Sequence, residues 1–272
     1  ILTEQVEVDK FKKTHKNWIY IQMKQLFFIA LVGLSLIVFL CYAKIPKEST
    51  QNIHFAVAAE YPPFEYNDHG EIKGFDIDLA RLIAKKLGKE AFFDTMQFSS
   101  ILPALSTGQV DAAISTITIT EQRKKNFDFT KPYYFESMAA VFPENNPIKN
   151  IQQLADKKIA VQLGSTMEIW LKQNVPNANL LIMDNNNQAI AALKAGHVDL
   201  VLIDGVQGLV FSQKNPGLSF AVIAKSDAGY GLALKKNSEL TQKINQALHE
   251  IEQSGELAAL KKKWLEDAQW KS

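Results

Sequence analysis

Val110-Asp111-Ala112-Ala113-Ile114-Ser115-Thr116-Ile117-Thr118-Ile119-Thr120-Glu121-Gln122-Arg123 changes character halfway along. The first half is short and apolar, follows Gly108, and reads as a buried strand over 110–114. The second half turns polar. Thr118 with Glu121 three residues on fits a capping box, which starts a helix there. A strand that ends in hydroxyls and feeds a helix N-terminus belongs at the carboxyl end of an open α/β sheet, where such folds bind ligands. Hydroxyls, free N–H groups and the Arg123 guanidinium together suit a small carboxylate. The plainer alternative is a helix cap beside a surface arginine.

Working outward toward the amino end, Ile53–Ala59 is an apolar run suited to a first strand, followed by Tyr61-Pro62-Pro63-Phe64, where the prolines forbid regular structure. Asn67-Asp68-His69-Gly70 is turn chemistry. From Phe75 to Leu87 the apolar positions 75, 79, 82, 83 and 87 keep helical spacing, with acids early, lysines late and Gly88 as the stop. Phe92–Met96 reads as a strand and Ile101–Thr107 as a helix closed by Gly108. Strands alternating with helices predict βαβ units and a largely parallel sheet.

A second α/β region begins after Pro132-Tyr133-Tyr134. Its expected elements are a strand at Lys158–Val161, a helix capped by Ser165 and Glu168, a strand at Leu180–Met183, a helix at Gln188–Ala195 and a strand at Val198–Ile203 ending in Asp204-Gly205. An internal echo ties the regions together. Ala104-Leu105-Ser106-Thr107-Gly108-Gln109-Val110-Asp111 matches Ala192-Leu193-Lys194-Ala195-Gly196-His197-Val198-Asp199, and both read as helix, glycine stop and buried strand. The first copy leads into Ser115, the second into Asp204. After a strand-like Tyr230–Leu234, the tail carries two helical patterns around Gly255, whose stripe of Leu257, Leu260, Trp264 and Leu265 reads as packing.

The chain has 272 residues, 47% hydrophobic and 22% charged, with a net charge of +1. That is a globular composition with room for one large domain or two ordinary ones, and nothing in it asks for nucleic acid. The single cysteine, Cys41, excludes a disulfide framework or zinc cluster within the chain, and no HExxH, phosphate loop or GxGxxG occurs. Neither metal nor cofactor is therefore expected. Leu26 to Ala43 carries no charge, with Lys24 and Met23 just before it. Residues 23–43 read as a signal peptide, 1–22 as an extension foreign to the mature protein, and 44–51 as a linker. The alternatives are an uncleaved membrane anchor or lipidation at Cys41.

With these motifs in order, the body of the chain resembles the periplasmic solute-binding proteins of polar amino acid ABC transporters. The resemblance is carried by Gly74-Phe75-Asp76-Ile77-Asp78-Leu79, Tyr61-Pro62-Pro63-Phe64-Glu65, the Asp111–Arg123 segment, Phe129-Thr130-Lys131-Pro132-Tyr133-Tyr134 and Gly164-Ser165-Thr166, and covers roughly 53–268. It implies a two-lobed type II binding-protein fold of mixed sheets with helices on both faces and a hinge of two crossover strands. Lobe 1 would be 52–136 with 227–272, and lobe 2 137–226. It implies a monomer that captures a free L-amino acid in the periplasm and delivers it to a membrane permease and its ATPase, with no bond made or broken.

Residue by residue, the resemblance assigns Arg123 to the ligand α-carboxylate, helped by N–H groups at Thr118 and Thr166. Asp204 becomes the α-ammonium partner, with Ser115 and the Thr118 hydroxyl beside it. Tyr61 and Phe98 become aromatic walls, and Thr116, Gln162 and Ser165 complete the lining. Relatives that bind basic amino acids often carry an acid three residues before the tyrosine. Ala58 stands there, which leaves Glu60 to take over that role or to face solvent. Met167 stands where some relatives have glutamine. Aromatic walls favour a guanidinium by cation–π contact, so the expectation is an arginine-like ligand, with a neutral polar one such as glutamine as the alternative. Enzymes such as cyclohexadienyl dehydratase share this fold, and the candidates for their general acid here are Asp204 and Glu60. Without the resemblance, Asp204 also reads as an N-cap before Gly205.

Overall fold

The computed structural model describes residues 52–266, apart from the side chains of Ser226 and Asp227. The expected signal peptide, extension and linker lie outside the described residues. Among the described residues no helix is long and apolar enough to cross a membrane.

The chain first forms β1 (Asn52–Val57), a small sheet of β2 (Glu60–Tyr61), β3 (Glu65–Asp68) and β4 (Glu71–Lys73), then α1 (Phe75–Lys86), β5 (Glu90–Thr95), α2 (Phe98–Thr107), β6 (Ala112–Ala113), the single turn α3 (Glu121–Lys124) and β7 (Phe127–Phe129). β8 (Tyr134–Pro143) crosses to a second half of β9 (Lys158–Gln162), α4 (Thr166–Asn174), β10 (Asn179–Met183), α5 (Asn186–Lys194), β11 (Leu200–Asp204) and α6 (Gly205–Lys214). β12 (Leu218–Tyr230) returns, and β13 (Ala233–Lys235), α7 (Leu240–Gln253) and α8 (Glu256–Lys261) finish the first half.

Each half is built on a five-stranded sheet, in the orders β5-β1-β6-β13-β7 and β10-β9-β11-β8-β12. Three strands of each are parallel, and the remaining pairings are antiparallel. β8 and β12 pair along their length, from Tyr134↔Tyr230 at one end to Pro143↔Leu218 at the other, and form the two-strand crossover between the halves.

Local chemistry explains most boundaries. α1 has Asp76 and Asp78 in its first turn and Lys85 and Lys86 in its last, matching the helix dipole. It begins at Gly74, whose φ of 134° lets the backbone press against Phe64–Glu65; a Cβ there would lie 2.9 Å from the Glu65 nitrogen. Phe75, Ile77, Leu79 and Ile83 are fully buried with Ile244, Leu248 and Ile251 of α7, and each such side chain contributes about 1.5–3 kcal/mol.

The echo is structural. Gly108 and Gly196 take φ of 79° and 73° at the helix ends. Asp111 then accepts from the His54 N–H of β1 at 2.8 Å, and Asp199 from the Lys158 N–H of β9 at 2.8 Å.

Several expectations need correction. The helix expected from Ile101 starts at Phe98. The strand expected over 110–114 keeps only Ala112–Ala113, although Asp111 and Ile114 still donate to β1 carbonyls at 3.0 and 3.1 Å. The helix expected at Thr118 starts two residues later, because Thr120 rather than Thr118 accepts from the Arg123 N–H, at 3.2 Å. The strand expected at Tyr230–Leu234 breaks between β12 and β13. There Gly231 passes so close to Ile119 that a Cβ would meet its Cδ1 at 2.7 Å.

A candidate amino acid crevice

The carboxyl ends of the parallel strands in both sheets face one crevice. Tyr61, Phe98, Thr116, Thr118 and Arg123 line it from the first half; Gln162, Ser165, Thr166, Met167, Asn186 and Asp204 line it from the second.

Arg123 is held by the one-turn helix that Thr120 caps, and only 8% of it is exposed. Its Nη1 donates to the Thr118 carbonyl at 2.8 Å and its Nη2 to the Gly164 carbonyl of the second half at 3.1 Å. The guanidinium lies 5.9 Å from the centre of the Phe98 ring. Burial lowers its pKa to about 10, against the opposing pull of Asp204, so it stays a cation at neutral pH. Among the described residues it forms no ion pair with a carboxylate, and an interior cation so placed is held at a cost that a bound anion removes.

Asp204 ends β11 and occupies the N-cap position of α6, yet its side chain makes no capping bond. That duty falls to Glu136 of β8, whose Oε2 accepts from Val206 N at 3.2 Å and whose Oε1 accepts from Ser137 N at 2.7 Å. Glycine at 205 permits this, since a Cβ there would stand 2.9 Å from Glu136 Oε1. The Asp204 carboxylate is thereby left for the crevice, where it accepts from the Tyr61 hydroxyl. Burial, with the nearby Glu136 charge, pushes its pKa up to about 7, while Tyr61, Tyr230 and Arg123 pull the other way.

Further contacts cross the crevice: the Thr118 and Thr166 hydroxyls meet at 3.5 Å, and Gln207 Nε2 donates to the Pro62 carbonyl. Ser165 caps α4 by accepting from Glu168 N at 3.2 Å, while Glu168 accepts from Gly164 N at 2.6 Å. Asn186 donates to Gln162 Oε1 at 3.3 Å, which fixes that amide against the crevice.

Two of the sequence-derived candidates stand apart from this lining. Ser115 lies beneath it, donating to Glu65 Oε1 at 2.7 Å and accepting from Ala58 N at 3.0 Å. Glu60 stands beside Tyr61 outside the lining; its Oε1 is buried with no hydrogen-bond partner among the described residues. Burial, then the charge of Asp184, raises its pKa to about 6. Sequence reasoning did not assign Asn186 to the lining or Glu136 to the cap. It also read Asp76 as a helix-start acid, whereas Asp76 Oδ2 accepts from the Thr116 N–H at 2.9 Å.

The sequence model of a family described as bacterial extracellular solute-binding proteins, family 3, matches residues 53–267. The arginine-binding extracellular protein ArtP of Bacillus subtilis is 38% identical over 223 residues, covering 80% of this chain and 88% of that protein. An ancestral arginine-binding protein solved with arginine is 40% identical, with a TM-score of 0.77, over 79% of this chain and 98% of that one. A structure described as an ancestral arginine-binding protein bound to glutamine is 39% identical, also with a TM-score of 0.77, over 80% of this chain and 100% of that one.

Proposed function

The chain belongs to the bacterial extracellular solute-binding proteins of family 3 and has their two-lobed type II fold, and from that premise we propose that it captures a free L-amino acid of basic, arginine-like type for an ABC import system. The observation that carries this is the convergence of Arg123 from one half and Asp204 from the other on a single crevice. A zwitterion presents one anion and one cation, and each buried charge of the site is stabilised only when its opposite arrives. Arg123 takes the α-carboxylate with the N–H groups of Thr118 and Thr166. Asp204 takes the α-ammonium beside Thr118, and Tyr61 and Phe98 flank the side chain, with Thr116, Gln162 and Ser165 around it.

The same groups that bind the ligand bridge the halves, so ligand favours the closed arrangement about the β8–β12 crossover. A membrane permease with its ATPase then reads closure. No bond-making step is part of this role. The body works outside the cytoplasm, with 23–43 as its cleavable signal peptide. A basic ligand is favoured by Glu60, whose unpartnered Oε1 and neighbouring Asp184 put negative charge near Tyr61. The ancestral structure bound to glutamine supports a second reading, in which a neutral polar side chain is accepted too.

The test is a thermal-shift screen of the twenty amino acids with ornithine and citrulline. Ligand at about a hundred times Kd adds about 2.7 kcal/mol, which moves the melting temperature of a chain this size by several degrees. Arginine is expected to give the largest shift. Glu60→Gln is expected to reduce the arginine shift more than the glutamine shift, and equal losses would remove Glu60 from side-chain recognition.

A further inference from the structure

Beneath the crevice two carboxyl groups meet in the interior of the first half. Glu65 opens β3 and Asp76 lies in the first turn of α1; they are 1% and 0% exposed, they hold the consecutive residues Ser115 and Thr116, and each acts on the other. The strongest influences on them are Ser115, Asp204, the Thr116 N–H, Tyr133 and each other, with Tyr61 close to Glu65; none of the ion pairs formed among the described residues includes either acid. Each carboxyl has one oxygen engaged. Glu65 Oε1 accepts from the Ser115 hydroxyl at 2.7 Å. Asp76 Oδ2 accepts from the Thr116 N–H and the Tyr133 hydroxyl, both at 2.9 Å. The other two oxygens, Glu65 Oε2 and Asp76 Oδ1, are buried and find no donor among the described residues.

Two ionised carboxylates side by side in the interior repel one another; one proton between them turns that repulsion into a charge-assisted hydrogen bond. We infer that Glu65 and Asp76 share a single proton through Oε2 and Oδ1, and that the pair is a positioning device that fixes the Ser115 hydroxyl and the Thr116 N–H beneath the ligand. Thr116 needs such a hold. Its φ of 47° is a left-handed conformation that a β-branched threonine rarely adopts, and Asp76 holds its N–H there. The direction of titration agrees: burial pushes Glu65 well above its usual value and Asp76 up to about 7.

The contact also predicts how amides behave. Glu65→Gln keeps an acceptor for Ser115 and gives Asp76 an N–H; Asp76→Asn keeps an acceptor for Thr116 and Tyr133 and gives Glu65 an N–H. In the double variant two N–H groups face each other, or one amide flips and the Ser115 hydroxyl loses its acceptor.

Infrared spectroscopy of the unliganded protein at about pH 8, above the range of ordinary carboxyls, tests the proton directly. A protonated-carboxyl carbonyl band is expected in the wild-type protein and absent from Glu65→Gln and from Asp76→Asn. No band in the wild type, or a band that survives both substitutions, overturns the inference.

Denaturant titration supplies the second arm. Each single variant is expected to fold with near wild-type stability, and the double to lose at least about tenfold more in its folding constant than the singles combined. Additive losses, or singles that do not fold, contradict it. A third arm rests on the proposed ligand site: in calorimetry the singles are expected to keep affinity within about threefold, whereas Glu65→Ala loses more than about tenfold. If no amino acid binds the wild type, the function reading fails while the infrared and denaturant arms still judge the shared proton.

Discussion

In the first half, α2 ends at Gly108, the chain reverses, and Asp111 accepts from the N–H of His54 before β6 begins; in the second, α5 ends at Gly196 and Asp199 accepts from the N–H of Lys158 before β11 begins. Up to that point the halves are the same device. Past it they separate. In the first, β6 gives way to a loop whose threonines lead to Arg123 on a one-turn helix. In the second, β11 runs straight into α6 with Asp204 at the junction, its capping work taken by Glu136. One scaffold thus presents a buried cation from one side and a half-buried carboxyl from the other. The sign of each side is set by the residue that follows the repeated unit.

Breaking the cationic side is expected to do most. Arg123→Ala removes the only positive group facing Asp204 across the crevice among the described residues, and binding of the preferred amino acid in calorimetry should weaken by about a hundredfold or more. Undiminished affinity would dissolve the contrast between the halves. Asp204→Asn should weaken ligands with a free α-amino group by at least about tenfold and leave N-acetylated ones nearly unchanged. An equal loss for both would take away its assigned partner.

The halves should also differ in pH response. Arg123 stays charged far above neutrality, but Asp204 titrates near 7 in the unliganded protein. A protonated Asp204 cannot pair with an ammonium, so affinity should fall as pH drops below about 7, by up to about tenfold per unit; in Asp204→Asn it should be flat over that range for glutamine and keep only the fall near 6 that Glu60 gives for arginine. The linkage sign for the empty protein is opposite. Its Asp204 pKa is raised on folding, so this group's contribution to stability is full below the unfolded value of 3.8 and is lost as pH rises through about 7. Ligand-induced gains in melting temperature should therefore grow from pH 6 to pH 8, starting from a less stable empty protein. The smallest effects concern the shared device. Asp111→Asn and Asp199→Asn should each cost about 1 kcal/mol by urea denaturation, and a difference of several kcal/mol would show the repeat to be superficial.

These contrasts were legible in the sequence to different depths. The α1 periodicity and the glycine stops at 108 and 196 are local signals, and the structure follows them. Arg123 and Asp204 were named from motif and resemblance, and the fold brings both to one crevice. The cap at Thr120 was misread as Thr118 because Ser/Thr hydroxyls at neighbouring positions satisfy the same local rule, and only the loop's path chooses between them. Freed from capping, Thr118 turns its hydroxyl toward Thr166. Glu136, Glu65 and Asp76 were beyond sequence reasoning for one reason. Each meets its partner through the packing of separate elements, and neither propensity nor periodicity records which buried acid a neighbouring strand brings alongside.

The account turns on two charged groups reading opposite ends of one small molecule. Calorimetry with arginine, its carboxamide and its N-acetyl form, against the wild type, Arg123→Ala and Asp204→Asn, tests this most directly. The account predicts that blocking the carboxylate weakens binding to the wild type but makes little further difference once Arg123 is gone, and that blocking the amine makes little further difference once Asp204 is neutral. If both blocked ligands lose as much affinity in the variants as in the wild type, the two ends are read elsewhere and the assignment is contradicted.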